Sequence, residues 1–167
     1  KMETALGSEP NDPRRGHNGP LVLTRGPAIS PLFQAFFESV QQAGYNLTND
    51  VNGYRQEGFA PFDRNIFKGK RLSAARAYLH PVLDRKNLDV RTRAFTTRIL
   101  FDGETATGVE YEWKGAKRRV YADKVILCGG AINTPQLLQL SGVGDRDHLE
   151  KLGINVVKHL PGVGENL

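Results

Sequence analysis

KVILCGGAINTPQLLQLSGVG, residues 124–144, decides how this 167-residue chain reads. It opens on an apolar run, Val125, Ile126, Leu127 and Cys128, which suits a strand inside a sheet. Gly129 and Gly130 follow, then a short helix with Asn133 or Thr134 as its cap and Pro135 at its first helical position. Ser141-Gly142-Val143-Gly144 ends that helix. Glycines after a buried strand remove the Cβ atoms that would keep a ligand from the backbone. The helix behind them offers unpaired N–H groups to an anion such as a pyrophosphate. Tight strand-to-helix packing asks for glycine too, so this pattern by itself stays open between the two readings. No complete Gly-x-Gly-x-x-Gly exists: Gly142 and Gly144 lead to Asp147, and Gly162 and Gly164 lead to Leu167, where the third glycine belongs.

Upstream of this stretch the chain alternates between turns and strands. Residues 88–90 start a strand-rich region. Residues 98–101, a turn at Asp102-Gly103, residues 108–113, a turn at Lys114-Gly115 and residues 118–122 read as an antiparallel ribbon. Val109, Tyr111 and Trp113 alternate on the face such a ribbon would bury. Further back, Ser73 can cap a helix that Pro81 kinks or ends. Residues 45–69 show little periodicity and many turn pairs, as a functional loop or a surface excursion would. Ser30-Pro31 opens another helix. Leu32, Phe33, Phe36, Phe37, Val40 and Ala43 recur at helical spacing, and Gly44 is placed to end it. An aromatic stripe of that kind predicts core packing rather than a cofactor box. Residues 21–23 form a short strand, and residues 1–18 read as a loop or poorly ordered end. Downstream, Asp145 caps a short helix closed by Gly153, and residues 154–157 form a last strand.

Composition narrows the function classes. Hydrophobic residues at 39% and charged residues at 25% fit a globular protein with a real core. No apolar stretch approaches the roughly 18 residues a membrane span needs. Both ends look cut, no targeting segment is legible within residues 1–167, and the single cysteine mildly favours a reducing compartment. The expected location is cytoplasmic or peripheral to a membrane. The net charge of +5 admits an anionic partner, but the basic residues are spread along the chain without a nucleic-acid motif, so solvated faces are the expectation. No catalytic site is legible. His17, His80, His148 and His159 lack ligand spacing and have no partner nearby in sequence, which predicts no metal site. Cys128 fits a small apolar role better than a nucleophilic one.

Residues 130–144 are also a specific match to a family signature. A small-residue turn, Thr134-Pro135, two aliphatics and Ser141-Gly142-Val143-Gly144 resemble the second signature of the glucose–methanol–choline (GMC) oxidoreductases. Arg71-Leu72-Ser73-Ala74-Ala75 with Tyr78-Leu79, Asn87-Leu88-Asp89-Val90, Gly108-Val109-Glu110-Tyr111 and Leu160-Pro161-Gly162-Val163-Gly164-Glu165-Asn166-Leu167 follow the family order. Gln42-Ala43-Gly44-Tyr45, and Asn52-Gly53-Tyr54 with Gln56-Glu57-Gly58-Phe59, resemble its choline-oxidising members in particular.

The resemblance implies an α/β (α+β mixed) fold: a partial FAD/NAD(P)-binding Rossmann-like domain over residues 70–167 and part of the GMC substrate-binding domain over residues 19–69. It implies FAD as the cofactor of a longer parent, absent from this piece alone. The implied substrate is a small-molecule alcohol, choline, oxidised to betaine aldehyde in glycine betaine biosynthesis. The electron acceptor stays open, and no nucleic acid is involved. By position, Thr96 would meet the adenine through its backbone, and Gly129, Gly130 and Ala131 would lie near the adenosine. The catalytic pair and the main glycine-rich anchor would lie outside residues 1–167, leaving the piece inactive and prone to self-association through an uncovered strand. Another GMC alcohol oxidase or dehydrogenase, or a non-catalytic module for an anionic partner, is the alternative.

Overall fold

The computed structural model describes residues 2–167. The chain divides into two compact units, one running to Val90 and the other from Arg91 to Leu167. In the first, β1 (Glu3–Ala5) lies parallel to β2 (Leu21–Arg25), which pairs antiparallel with β3 (Asp63–Arg64). The sequence reading left Glu3–Ala5 as loop. The strand depends on a partner some twenty positions away, and local composition carries no sign of that pairing. A small hairpin follows, β4 (Ile66–Phe67) and β5 (Lys70–Arg71), turned by Lys68 and Gly69, both at positive φ as a type I′ turn requires.

What joins these strands is a buried ion network. Arg15 keeps only 2% of its side chain exposed. Its Nη1 reaches both Asp50 oxygens at 2.9 Å, its Nη2 reaches Asp63 at 2.6 Å and its Nε reaches Glu3 at 3.1 Å. Arg25 Nε donates to the other Asp63 oxygen at 2.6 Å, and its Nη1 to the Asn49 carbonyl. β1, β3 and the loop at Asp50 are thereby pinned to the Arg15 guanidinium, and Arg25 ties β2 to the same two aspartates. Burial disfavours the charge on Arg15, but the hydrogen bond to Asp63 and the charges of Asp50, Glu3 and Asp63 outweigh it and hold the group above its ordinary value. Burial likewise opposes the Asp63 anion, yet hydrogen bonds from Arg25 and Arg15 hold this carboxyl below the usual carboxylate range.

Helix α1 (Pro31–Gln42) forms as its sequence dictates. Ser30 Oγ accepts the Leu32 N–H, Pro31 occupies the first position, and Gly44 at φ +84° closes the end. Its stripe is not core, however. Val40 is buried, while Leu32 is 80% exposed and Phe33 and Phe36 are each 49% exposed. The loop around Phe59 packs on it, with the Phe36 and Phe59 rings 5.8 Å apart, and residues 26–29 and 60–62 line the rest of that face. The result is an open groove where periodicity predicts a closed interior. Ser73 Oγ accepts the Arg76 N–H, starting one turn of π-helix (Ala75–Leu79), and Pro81 lies in the 3₁₀ turn that follows (His80–Val82).

The second unit carries the ribbon, β6 (Phe95–Asp102), β7 (Thr105–Trp113) and β8 (Ala116–Tyr121), antiparallel in that order. Gly103, and then Lys114 with Gly115, take positive φ at its two tight turns. Helix α2 (Gly130–Leu140) packs on β6, and Ile99 and Tyr111 are buried in the ribbon. β9 (Val143–Gly144) pairs in parallel with β10 (Lys158–His159) around α3 (Arg146–Lys151), whose Leu149 is fully buried and whose Asp145 cap accepts the His148 N–H at 2.9 Å.

Four expectations change here. Residues 124–128 pair with no strand, and Ile126 is 83% exposed, because among the described residues no strand lies beside them. α2 begins at Gly130, so Pro135 lies inside it rather than at its start. The last strand forms at Lys158–His159 instead of residues 154–157, and residues 88–90 precede the ribbon without joining it.

The Ser141-Gly142 corner explains part of the signature. Ser141 Oγ donates to the Leu137 carbonyl at 2.6 Å and accepts the Ile99 N–H at 2.8 Å, tying the end of α2 to the middle of β6. Gly142 sits at φ +91°, and a Cβ there would lie 2.4 Å from the Asn155 carbonyl oxygen, so no side chain fits.

Arg15→Met should cost about 3 kcal/mol by leaving Asp63 and Asp50 unpaired, measured by chemical denaturation. Because Asp63 is depressed below its ordinary 3.8, the network should stabilise fully above that value and be lost as pH falls through the lower folded value, seen as a steep drop in Tm on acidification that Arg15→Met flattens. Ser141→Ala should cost about 1–3 kcal/mol by orphaning the Ile99 N–H, and Ser141→Thr should restore most of it.

Candidate cofactor-binding cleft

A cleft of about 760 Å³ opens between the ribbon, residues 124–129 and α2. One wall is the ribbon face carrying Thr96, Val109 and Val120. The opposite wall is the α2 face carrying Asn133, Gln136, Leu137 and Leu140, and Val125, Ile126 and Leu127 form its edge. The lining is mostly apolar, with hydroxyl and amide groups from Thr96, Thr97, Asn133, Thr134 and Gln136 and one charge, Lys124. No histidine and no carboxylate lines it. Such a surface can hold a flat heterocycle and its polar appendages, and it offers no histidine or carboxylate for proton transfer.

The ribbon is irregular beside the cleft. The register shifts between Thr96 and Arg98, a bulge that leaves Thr97 unpaired. Thr97 Oγ1 turns to the Glu110 carbonyl at 3.2 Å. Glu110 accepts two hydrogen bonds from Arg119 at 3.1 Å. These, aided by the charges of Arg119 and Lys117 and opposed by desolvation, hold its carboxyl below the usual range.

Of the four residues picked from sequence, Thr96 and Gly129 line the cleft, whereas Gly130 and Ala131 stand in the first turn of α2 and are not among its lining residues. The two glycines differ physically. A Cβ on Gly129 would meet Thr134 N at 3.1 Å and Asn133 Cβ at 3.2 Å, so tight packing asks for glycine there. Gly130 has open space around it but sits at φ +81°, so the backbone conformation asks for glycine instead. Asn133, Gln136 and Lys124 were not picked. Their signal is the i, i+3, i+4, i+7 spacing of residues 133, 136, 137 and 140, visible only once the helix is started at Gly130. The histidines do not come together at the cleft. The His17 ring lies 3.4 Å from the Asp12 carbonyl, and His159 Nδ1 accepts the Arg146 N–H at 3.1 Å. Among the described residues no cluster of three or more His, Cys, Asp or Glu could hold a metal ion, and no helix is long and apolar enough to cross a membrane.

Comparison with known proteins places this geometry. The GMC oxidoreductase family profile matches residues 7–167. A protein of Staphylococcus xylosus named oxygen-dependent choline dehydrogenase is 59% identical over 166 residues, 99% of this chain and 30% of its own length. One of the same name from Staphylococcus saprophyticus is 58% identical over the same share. Among solved structures, pyridoxine 4-oxidase from Mesorbium loti superposes with a TM-score of 0.86 at 31% identity, covering 96% of this chain and 31% of that one. An FAD-dependent oxidoreductase from Chaetomium thermophilum gives a TM-score of 0.84 at 30% identity, covering 97% and 30%. The chain spans about 30% of the length of these relatives. Signature, mixed helix–strand fold and cleft agree with the profile match, and the chain belongs to the GMC oxidoreductase family.

Proposed function

We propose that this chain forms one wall of the FAD site, and part of the substrate domain, of a longer enzyme that oxidises choline to betaine aldehyde. The observation that carries this reading is the 59% identity, sustained over 99% of the chain, to a protein named for choline oxidation. The cleft fits the cofactor: it is open, largely apolar, edged by hydroxyl and amide groups, and free of carboxylates that would repel a phosphate. Bound FAD would supply the hydride acceptor. The Thr96 backbone would lie against the adenine, and Gly129, Gly130 and Ala131 beside the adenosine, where the N–H groups at the start of α2 can meet an anion. Val109, Val120 and Leu137 would keep water from that end.

No histidine or carboxylate lines the cleft, and in this reading the base is assigned to residues outside these 167. In this reading residues 19–69 serve the substrate domain and residues 70–167 the FAD domain. The division after Val90 describes packing within this chain, not which residues serve which ligand. The relatives are named oxygen-dependent, so dioxygen is the acceptor to test first. The exposed run at residues 124–128 has unpaired backbone beside Ile126, and self-association of the isolated chain is proposed through it.

The test is flavin content and choline-dependent dye reduction in the full-length enzyme that continues this segment, with the 167-residue chain alongside. A β-branched residue at positive φ costs at least about 1–2 kcal/mol. Gly130→Val should therefore lower flavin occupancy roughly tenfold, while Thr96→Ala, which keeps its backbone contact, should leave it within about twofold. The short chain should turn over no choline even with added FAD, since hydride transfer needs an oriented flavin and a placed base. Full occupancy in Gly130→Val would remove the site assignment. A full-length enzyme that reduces dye with another alcohol but not choline would remove the substrate.

A further inference from the structure

The tip of the ribbon holds a concentration of charge that the reading above does not use. Trp113, the chain's one tryptophan, ends β7. Three cations lie over its ring: Lys114 Nζ at 4.4 Å from the centroid, the Arg118 guanidinium at 5.2 Å and the Arg91 guanidinium at 5.9 Å. All fall within the roughly 6 Å range of cation–π attraction. The indole N–H donates to the Thr92 carbonyl at 3.3 Å, which fixes the ring as a platform. On β8, by contrast, Arg119 pairs with Glu110 at 3.1 Å and Lys117 stands across from Glu112. Lys114 and Arg118 form no ion pair among the described residues. Like charges gathered on one ring repel each other, and an aromatic face offsets only part of that cost.

Lys114 holds φ +51° in the two-residue turn, the conformation Lys68 takes in the β4–β5 turn, and so its ammonium stands at the end of the ribbon.

We propose that this tip, Trp113 with Lys114 and Arg118, is a docking surface for acidic phospholipid headgroups. Charge complementarity selects an anionic partner. The form of the tip selects a headgroup layer over a polynucleotide. It is a tight turn with one aromatic ring whose neighbours are cations, and it offers no row of ring faces on which successive bases could stack. Indole and basic side chains side by side suit the polar boundary of a bilayer, where each cation near an acidic surface changes partitioning about fivefold. The proposal stands on the second unit alone and does not depend on the choline reading.

The full-length enzyme that continues this segment is mixed with vesicles of phosphatidylglycerol and phosphatidylcholine in equal parts, and with vesicles of phosphatidylcholine alone, and co-sedimentation is measured against the protein without vesicles. The expected result is sedimentation with the acidic vesicles only, weakening as salt rises. Lys114→Gln and Arg118→Gln should each weaken binding about fivefold, and the double charge reversal Lys114→Glu/Arg118→Glu should abolish it with circular dichroism unchanged. Lys70→Glu, away from the ribbon, should bind as the parent does. Equal binding to both vesicles, no binding to either, or binding that survives the double reversal would each overturn the proposal. So would displacement by millimolar inorganic phosphate at constant ionic strength, which would mark a site for a free anion. Tighter binding of a single-stranded oligonucleotide at matched salt would also overturn it.

Discussion

One hydroxyl holds the second half of this molecule in register. Ser141 Oγ sits between the Leu137 carbonyl at the end of α2 and the Ile99 N–H in the middle of β6, the second contact buried and the first half-buried. A buried donor left without a partner costs more than an ordinary hydrogen bond contributes, so this corner allows little sliding of helix against ribbon. The cleft is the space left between those two elements. Gly142, whose neighbour the Asn155 carbonyl would meet any Cβ at 2.4 Å, then turns the chain into β9. The part of the signature that reads like ligand chemistry is thus divided. Ser141 and Gly142 are structural, and the turn before α2 faces the cleft.

The first unit solves a different problem. Its strands are short, and few of its apolar side chains are buried. A single guanidinium with three carboxylates around it replaces part of the missing core, and Arg25 supplies the second positive charge that Asp63 needs. Buried ion pairs are weak sources of net stability, but they are strict about geometry, since each misplaced partner leaves a charge unpaired away from water. The network therefore specifies which strands meet more than it strengthens the meeting.

Two apolar surfaces stay uncovered: the aromatic face of α1 and the run at residues 124–128. Helical periodicity in α1 and the continuous apolar run at residues 124–128 predict burial for both. Burial also needs something to pack against, and among the described residues the α1 face is met by the loop at Phe59 and the rim of an open groove, while no strand lies beside residues 124–128. The chain spans 30% of the length of its relatives, the share over which the family likeness holds.

Local chemistry alone was enough for the elements whose causes lie within a few residues. Ser30-Pro31 and Gly44 bound α1, Asp145 and Gly153 bound α3, and Gly103 and Gly115 place the ribbon turns, because caps and positive-φ turns are satisfied by neighbours in sequence. The signature at residues 130–144 was legible for the same reason, and with it the family. Tertiary structure decided the rest. It paired Glu3–Ala5 with β2, gathered Arg15, Arg25, Asp50 and Asp63, set Thr96 across from Leu137 and placed Lys114 and Arg118 on Trp113. These contacts join residues whose separation along the chain says nothing about their distance in space, and strand pairing and burial depend on that distance.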